Sequence, residues 1–434
     1  MLDILSNGLL KQFIAVAILL SMFISLLLRY KNPKNPVWAY MAFFSFIAVA
    51  FDLISIDQIS SAVDIEVILF LVGMFSIVSI AESSGLLDLV AWRIMITSKS
   101  IYTLLIIYSM TIGLLSAVAV NDTMAVMGPP IAYSLSRITG IDLRILTLLL
   151  AYSITIGSVM TPIGNPQNML IATESAIKAP LITFIKYLLI PTIINLLITP
   201  LLMIKLFKIE NRRIEVGLVP QELIRDRRDA YVGALAMIIV ILLLFINDLM
   251  SLLGLYHIRY IGFIPFIVAA GAYLFTERPR EIIKNVDWGT IIFFITMFIT
   301  MKAVWDTGVL YKPLNVLAPL DSDNIFARVF QITIVSIVFS QFLSNVPFTK
   351  IFIEYLKTFK DENFLTAKDW IALAMSSTIA GNLTLFGAAS NIIILEALES
   401  RYGRTISSID FVKLGILITA VNILVYTPFI VIIR

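Results

Sequence analysis

At eight places this chain stays apolar for about the length of a bilayer crossing, and no other feature restricts its fold as much. The runs lie at about 13–29, 37–54, 66–82, 181–207, 230–247, 259–276, 288–304 and 410–432. A helix needs roughly 20 such residues to cross a hydrocarbon core about 30 Å thick. Water is absent there, so each crossing must satisfy its own backbone, and long continuous runs do so as helices. The chain therefore reads as an all-α polytopic membrane protein. Its composition agrees, with 59% hydrophobic residues, 14% charged residues and a mean hydropathy of +0.96. The first run is too long for a removed signal peptide and lacks a small-residue cleavage site, so it reads as the first span.

The same composition excludes other classes. With 32 Lys and Arg against 29 Asp and Glu, the net charge is +3, which offers no nucleic-acid-binding surface. The absence of Cys removes disulfides, iron–sulfur clusters, thiolate nucleophiles and thiolate metal or arsenic sites. The single His, His257, sits among polar breaks and reads as a loop residue. There is no Walker loop and no Ser/His/Asp set, so the chain is not expected to be an enzyme and carries no ATPase domain. Uphill transport would then draw on an ion gradient or the membrane potential, although the sequence leaves open a separate ATPase partner.

Four polar breaks interrupt the remaining apolar sequence. The stretch 145–177 contains Thr161-Pro162-Ile163-Gly164-Asn165-Pro166-Gln167-Asn168, where two prolines remove backbone donors and a glycine weakens the helix. The stretch 370–399 contains Gly381-Asn382-Leu383-Thr384-Leu385-Phe386-Gly387-Ala388-Ala389-Ser390-Asn391 at a comparable place. Both predict interrupted helices. Residues 101–136 and 327–358 read instead as re-entrant hairpins with tips at Asn121-Asp122-Thr123 and Ser344-Asn345-Val346-Pro347. The apolar return leg of the first, Met124 to Leu135, would cover only about 18 Å at 1.5 Å per residue. The second return leg carries Lys350, Glu354 and Lys357.

An internal repeat ties these features together. Asp64 aligns with Asp287 without gaps, and Ile68-Leu69-Phe70, Met74-Phe75 and Gly85 then fall on Ile291-Ile292-Phe293, Met297-Phe298 and Gly308. The tips align Asn121 with Asn345 after one slipped residue. The breaks return to the first register, placing Thr161 on Thr384, Gly164 on Gly387 and Asn168 on Asn391. Each half holds five spans and one hairpin, and an odd number of crossings inserts the halves in opposite orientation. An inverted 5+5 transmembrane repeat with two re-entrant hairpins and two interrupted helices points to a secondary transporter with its site at the midplane. If the loop bearing Arg29, Lys31 and Lys34 is cytoplasmic, most Lys and Arg lie inside, densest in the linker 208–229, and both termini face outward. The expected location is the cell membrane.

Unpaired backbone at membrane depth persists only where it lines a wet or protein-buried cavity, so the four breaks should converge. Half-helix N-termini offer N–H groups to an anion, while unwound carbonyls with Asn and Thr side chains suit a hard cation. The candidate substrate-binding residues are Asn121, Thr123, Thr161, Gly164, Asn165, Asn168, Ser344, Asn345, Thr384, Gly387, Ser390 and Asn391. Asp122 is the one carboxylate at any break and the candidate ion-coupling residue; the alternative is a cap for the tip. Lys302 and Asp306, four apart, read as a helix-surface ion pair. Glu82 reads as interfacial. Glu174 and Glu396 follow the interrupted regions and are secondary candidates.

Together these four motifs resemble the ion transporter superfamily, and among its branches the arsenite permeases and the divalent anion/sodium symporters. The resemblance covers nearly the whole chain. It implies a scaffold built from 1–100 and 230–320 and an elevator-type transport domain built from 101–207 and 321–434. Both hairpin tips of the dicarboxylate branch read Ser-Asn-Thr and bind Na⁺; here the acidic first tip and the Asn-x-Pro second tip look more like the arsenite permease and sodium/proton antiporter branches. Na⁺ is the one candidate cofactor, with Asn121, Asp122 and Asn345 as its candidate ligands. The implied cargo is a small inorganic oxyanion or oxyacid of the arsenite kind, moved with H⁺ or Na⁺. The alternatives are a Na⁺/H⁺ antiporter exchanging at Asp122 and a Na⁺-coupled dicarboxylate or anion symporter.

Overall fold

The computed structural model describes residues 8–31, 36–175, 177–214, 224–359, 364–404 and 406–433. Lys34 and part of the 208–229 linker lie outside them. The first half comprises α1 (Gly8–Lys31), α2 (Val37–Ala50), α3 (Ile56–Ala62), α4 (Ile65–Ser83), α5 (Leu86–Met95), α6 (Ile101–Ala119), α7 (Asn121–Thr139), α8 (Leu143–Ser158), α9 (Pro166–Glu174) and α10 (Pro180–Leu206). The second comprises α11 (Arg227–Leu252), α12 (Phe263–Tyr273), α13 (Pro279–Ile282), α14 (Trp288–Asp306), α15 (Tyr311–Leu317), α16 (Ile325–Leu343), α17 (Asn345–Phe359), α18 (Ala367–Ile379), α19 (Ala389–Tyr402) and α20 (Ser408–Ile432).

Among the described residues, eight helices are long and apolar enough to cross a membrane: α1, α4, α6, α10, α11, α14, α16 and α20. Six coincide with expected spans, and two are the outgoing legs of the hairpins. The spans expected at 37–54 and 259–276 are shorter, 14 residues in α2 and 11 in α12. Asp52, at φ 53°, turns the chain out of α2. Gly262 presses so closely on α4 that a Cβ there would stand 2.1 Å from the Glu66 carbonyl oxygen, which draws the preceding residues out of α12. The return leg α7 is also longer than its apolar stretch suggests. Its 19 residues span about 28 Å, so length does not distinguish it from a crossing helix as the sequence suggested; it differs in its polarity and in Pro129-Pro130.

The two halves match down to individual hydrogen bonds. Asp64 caps α4 by accepting from the Val67 amide, and Asp287 caps α14 by accepting from the Thr290 amide. The residues that precede α7 and α17, Val120 and Ser344, hold φ of 63° and 66°. Non-glycine side chains are strained there, the β-branched Val120 most, so tertiary contacts must enforce the turn. Packing exchanges the halves: α2 lies on α14 while α12 lies on α4, and α7 meets α19 while α17 meets α9. Gly113 and Gly157 let α6 and α8 touch backbone to backbone, since a Cβ on Gly157 would stand 2.1 Å from the Gly113 carbonyl oxygen.

Candidate functional site

Each break is a hydrogen-bonded knot. Val159 to Asn165 leave the helix between α8 and α9, and Pro166 restarts it at the first helical position, where no N–H is needed. Asn165 caps α9 by accepting from the Asn168 amide at 2.9 Å. The Asn168 amide group donates to the carbonyls of Ser158, Val159 and Thr161 at 3.0, 3.1 and 3.0 Å. In the second half Asn391 donates to Gly381 at 2.7 Å and Thr384 at 3.3 Å. Thr161 and Thr384 each accept from the Gly three residues on, Gly164 at 3.0 Å and Gly387 at 3.1 Å. These are the same bonds on corresponding residues.

The first tip docks on the first break. The Asn121 amide donates to the Gly164 carbonyl at 2.8 Å, and Thr161 donates to the Ala117 carbonyl. Between the tips lies a cavity of about 460 Å³, lined by Asn121 and Asp122 from one tip and Ser344, Asn345, Val346 and Pro347 from the other. Pro166 and Gln167 reach it from the first break, and Ala389 from the start of α19. Trp38, Tyr40, Phe44, Phe293 and Phe294 supply aromatic walls. Asp122 and Asp287 are its charged lining residues, and no Lys, Arg or His lines it among the described residues. The buried Asn121 Oδ1 has no hydrogen-bond partner among the described residues.

Of the residues singled out from sequence, the structure brings Asn121, Asp122, Ser344 and Asn345 to the cavity wall. Thr161, Gly164, Asn165, Asn168, Thr384, Gly387, Ser390 and Asn391 are not in that lining, and Thr123 follows the tip half-buried. The bonds just described engage Thr161, Gly164, Asn165, Asn168, Thr384, Gly387 and Asn391 within the breaks. His257 lies in the α11–α12 loop, and Lys302 pairs with Asp306 as expected.

Sequence reading missed a hub and a charge cluster. The Thr378 hydroxyl on α18 accepts from Asn165 at 3.1 Å and Gln167 at 3.3 Å, and donates to Asn168 at 3.2 Å, joining one half's helix to the other's break. Lys350 on α17 lies 2.7 Å from both carboxylate oxygens of Glu174 at the end of α9, and Lys357 lies 2.8 Å from one of them. The charges on the second hairpin's return leg were the available signal; their partner 176 residues away was not.

The family model described as citrate transporter (CitMHS) matches residues 15–375. The chain belongs to that family. Its relatives include an uncharacterized transporter of Mycobacterium tuberculosis, 27% identical over 84% of this chain and 85% of the relative. A Dictyostelium discoideum protein named as an arsB transporter is 21% identical over 89% of this chain and 85% of the relative. Among solved structures, the YdaH transporter of Alcanivorax borkumensis superposes with a TM-score of 0.56 at 13% identity, over 86% of each chain. The family and these relatives are transporters, not enzymes, and the chain is an integral membrane protein with a YdaH-like fold.

Proposed function

We propose that the chain is a secondary transporter whose cargo is a small uncharged oxyacid, with arsenous acid as the example. The observation that carries this reading is the cavity between the tips, whose described lining combines neutral polar groups and two carboxylates without a basic side chain. A free polyanion entering it would meet repulsion from Asp122 and Asp287, with no basic side chain among the described lining residues to offset it. A neutral trihydroxy solute can donate to the free Asn121 Oδ1 and accept from amides at the tips. The remaining sequence candidates act as the frame that holds the tips. Coupling to H⁺ or Na⁺ runs through Asp122, with Asn121 and Asn345 as its partners if the ion is Na⁺.

Alternating access is an elevator motion of α6–α10 and α16–α20 against α1–α5 and α11–α15. The exchanged packing of the two halves supports an inverted repeat with hairpins entering from opposite faces. In this reading the protein sits in the cell membrane with both termini outside. The second reading, cation exchange at Asp122, is favoured by the cavity's wholly acidic charge. Uptake into proteoliposomes decides between them, using arsenite, silicate, phosphate and citrate under imposed Na⁺ or pH gradients. Gradient-driven uptake of neutral oxyacids supports the first reading. Ion exchange with no solute flux supports the second, and uptake of phosphate or citrate as free anions contradicts both.

A further inference from the structure

The last helices of the two halves meet along a buried polar seam. Contacts fix their relative direction. Tyr102 and Ser109, ascending α6, bond the carbonyls of Ile209 and Leu196, descending through α10, so these helices are antiparallel. Ser109, Ala117 and Asn121 meet Ser153, Thr161 and Gly164 in ascending order, so α6 and the α8 strand of chain run parallel. Arg144 pairs with Asp410, and the Ile156 carbonyl accepts from Tyr426, so α8 and α20 are parallel too. Hence α10 and α20 are antiparallel.

The hydroxyls of Thr192 and Tyr426, 2.7 Å apart, set the register. One turn on along α10 and one turn back along α20 place Asn195 opposite Asn422, and the next turn places Thr199 opposite Thr419. All six residues are at most 3% exposed. Facing carboxamides ordinarily bond each other. Here the nitrogen and oxygen of both Asn195 and Asn422 lack hydrogen-bond partners, as does the Thr419 hydroxyl. The Asn195 amide lies beside the Tyr426 hydroxyl, which the Thr192 hydroxyl already engages at 2.7 Å.

We infer that this seam binds a monovalent cation of the Na⁺ class, through Asn195 Oδ1, Asn422 Oδ1 and Thr419 Oγ1, with the Thr192 hydroxyl beside them. Each carboxamide can turn its nitrogen toward its own helix and its oxygen inward. Neutral oxygens suit a hard monovalent ion, and none of the six residues is ionised near neutral pH. Among the described residues no group of three or more His, Asp or Glu is placed to hold a metal through charge. The site lies mid-way along two helices of 27 and 25 residues. It joins the two halves, so occupancy there would set how they pack. A role in coupling rests on the proposed transport function, whereas binding does not.

Thermal stability of the purified full chain in detergent, titrated with NaCl at constant ionic strength against choline chloride, tests the inference without any transport. Na⁺ is expected to raise the melting temperature saturably. Asn195→Leu and Asn422→Leu should raise the half-saturating concentration at least tenfold, and Asn422→Asp should lower it. If a leucine variant fails to fold, the aspartate variant decides. No Na⁺ effect on the unmodified chain, or a half-saturating concentration unchanged in the seam variants, overturns the inference.

Discussion

Thr378→Val is nearly isosteric and removes one hydroxyl. That hydroxyl has one donor and two acceptor directions, and Asn168, Asn165 and Gln167 use all three. Asn165 keeps its bonds to Ser158. Gln167 Nε2 and Asn168 Oδ1 lose a partner while 1% and 0% exposed, where water cannot replace it. At about 1–3 kcal/mol per stranded group, with some relaxation, the loss is about 2–4 kcal/mol. For a chain of this size that corresponds to a melting shift of about 2–4 °C. The repeat supplies the control: Thr155, the counterpart of Thr378, bonds only back to the Ala151 carbonyl of its own helix at 3.0 Å. Thr155→Val should therefore cost under about 1 kcal/mol. Thermal unfolding followed by size-exclusion chromatography measures both. Equal shifts in the two variants would refute the reasoning, because the hub would then contribute no more than an ordinary intrahelical hydroxyl.

Further outcomes follow from other parts of the site. Asn121→Ala removes the free cavity acceptor and should weaken solute binding about tenfold while leaving melting almost unchanged, as measured by equilibrium binding. Asp122→Asn should still bind solute but lose dependence on the imposed ion gradient in proteoliposomes; unchanged dependence would leave it a cap for the tip. Arg328 and Asp369 form a buried bidentate pair at 2.9 and 3.1 Å. Asp369→Leu alone should cost about 3–5 kcal/mol by stranding the guanidinium, and adding Arg328→Met should recover most of it in the same unfolding assay.

The breaks and hairpin tips were legible because their signals are local. Proline, glycine and asparagine at Thr161–Asn168 forbid a continuous helix whatever the surroundings, and the repeat shows the same oddity twice. The lengths of α2 and α12 were not legible, since apolar residues continue past both ends while the turn at Asp52 and the contact of Gly262 with α4 are tertiary. The convergence of the tips was readable, but the division of labour among the candidates was not. Asn168 has the same composition signal as Asn121, yet one amide is consumed by three carbonyls and the other, on a cavity-lining residue, leaves a buried oxygen unpaired among the described residues. The Thr378 hub and the Glu174–Lys350 pair depend on packing between halves, which periodicity does not encode.

The central claim is that the cavity between the tips holds the cargo and opens to each side of the membrane in turn. The chain contains no Cys, so Ser344→Cys places one thiol on the cavity wall. Its reaction with an impermeant maleimide, applied to oriented proteoliposomes from one face at a time, tests the claim directly. The account predicts labelling from both faces, slowed several-fold by the transported oxyacid. Labelling from one face only, with no protection by any solute that the protein transports, would contradict it.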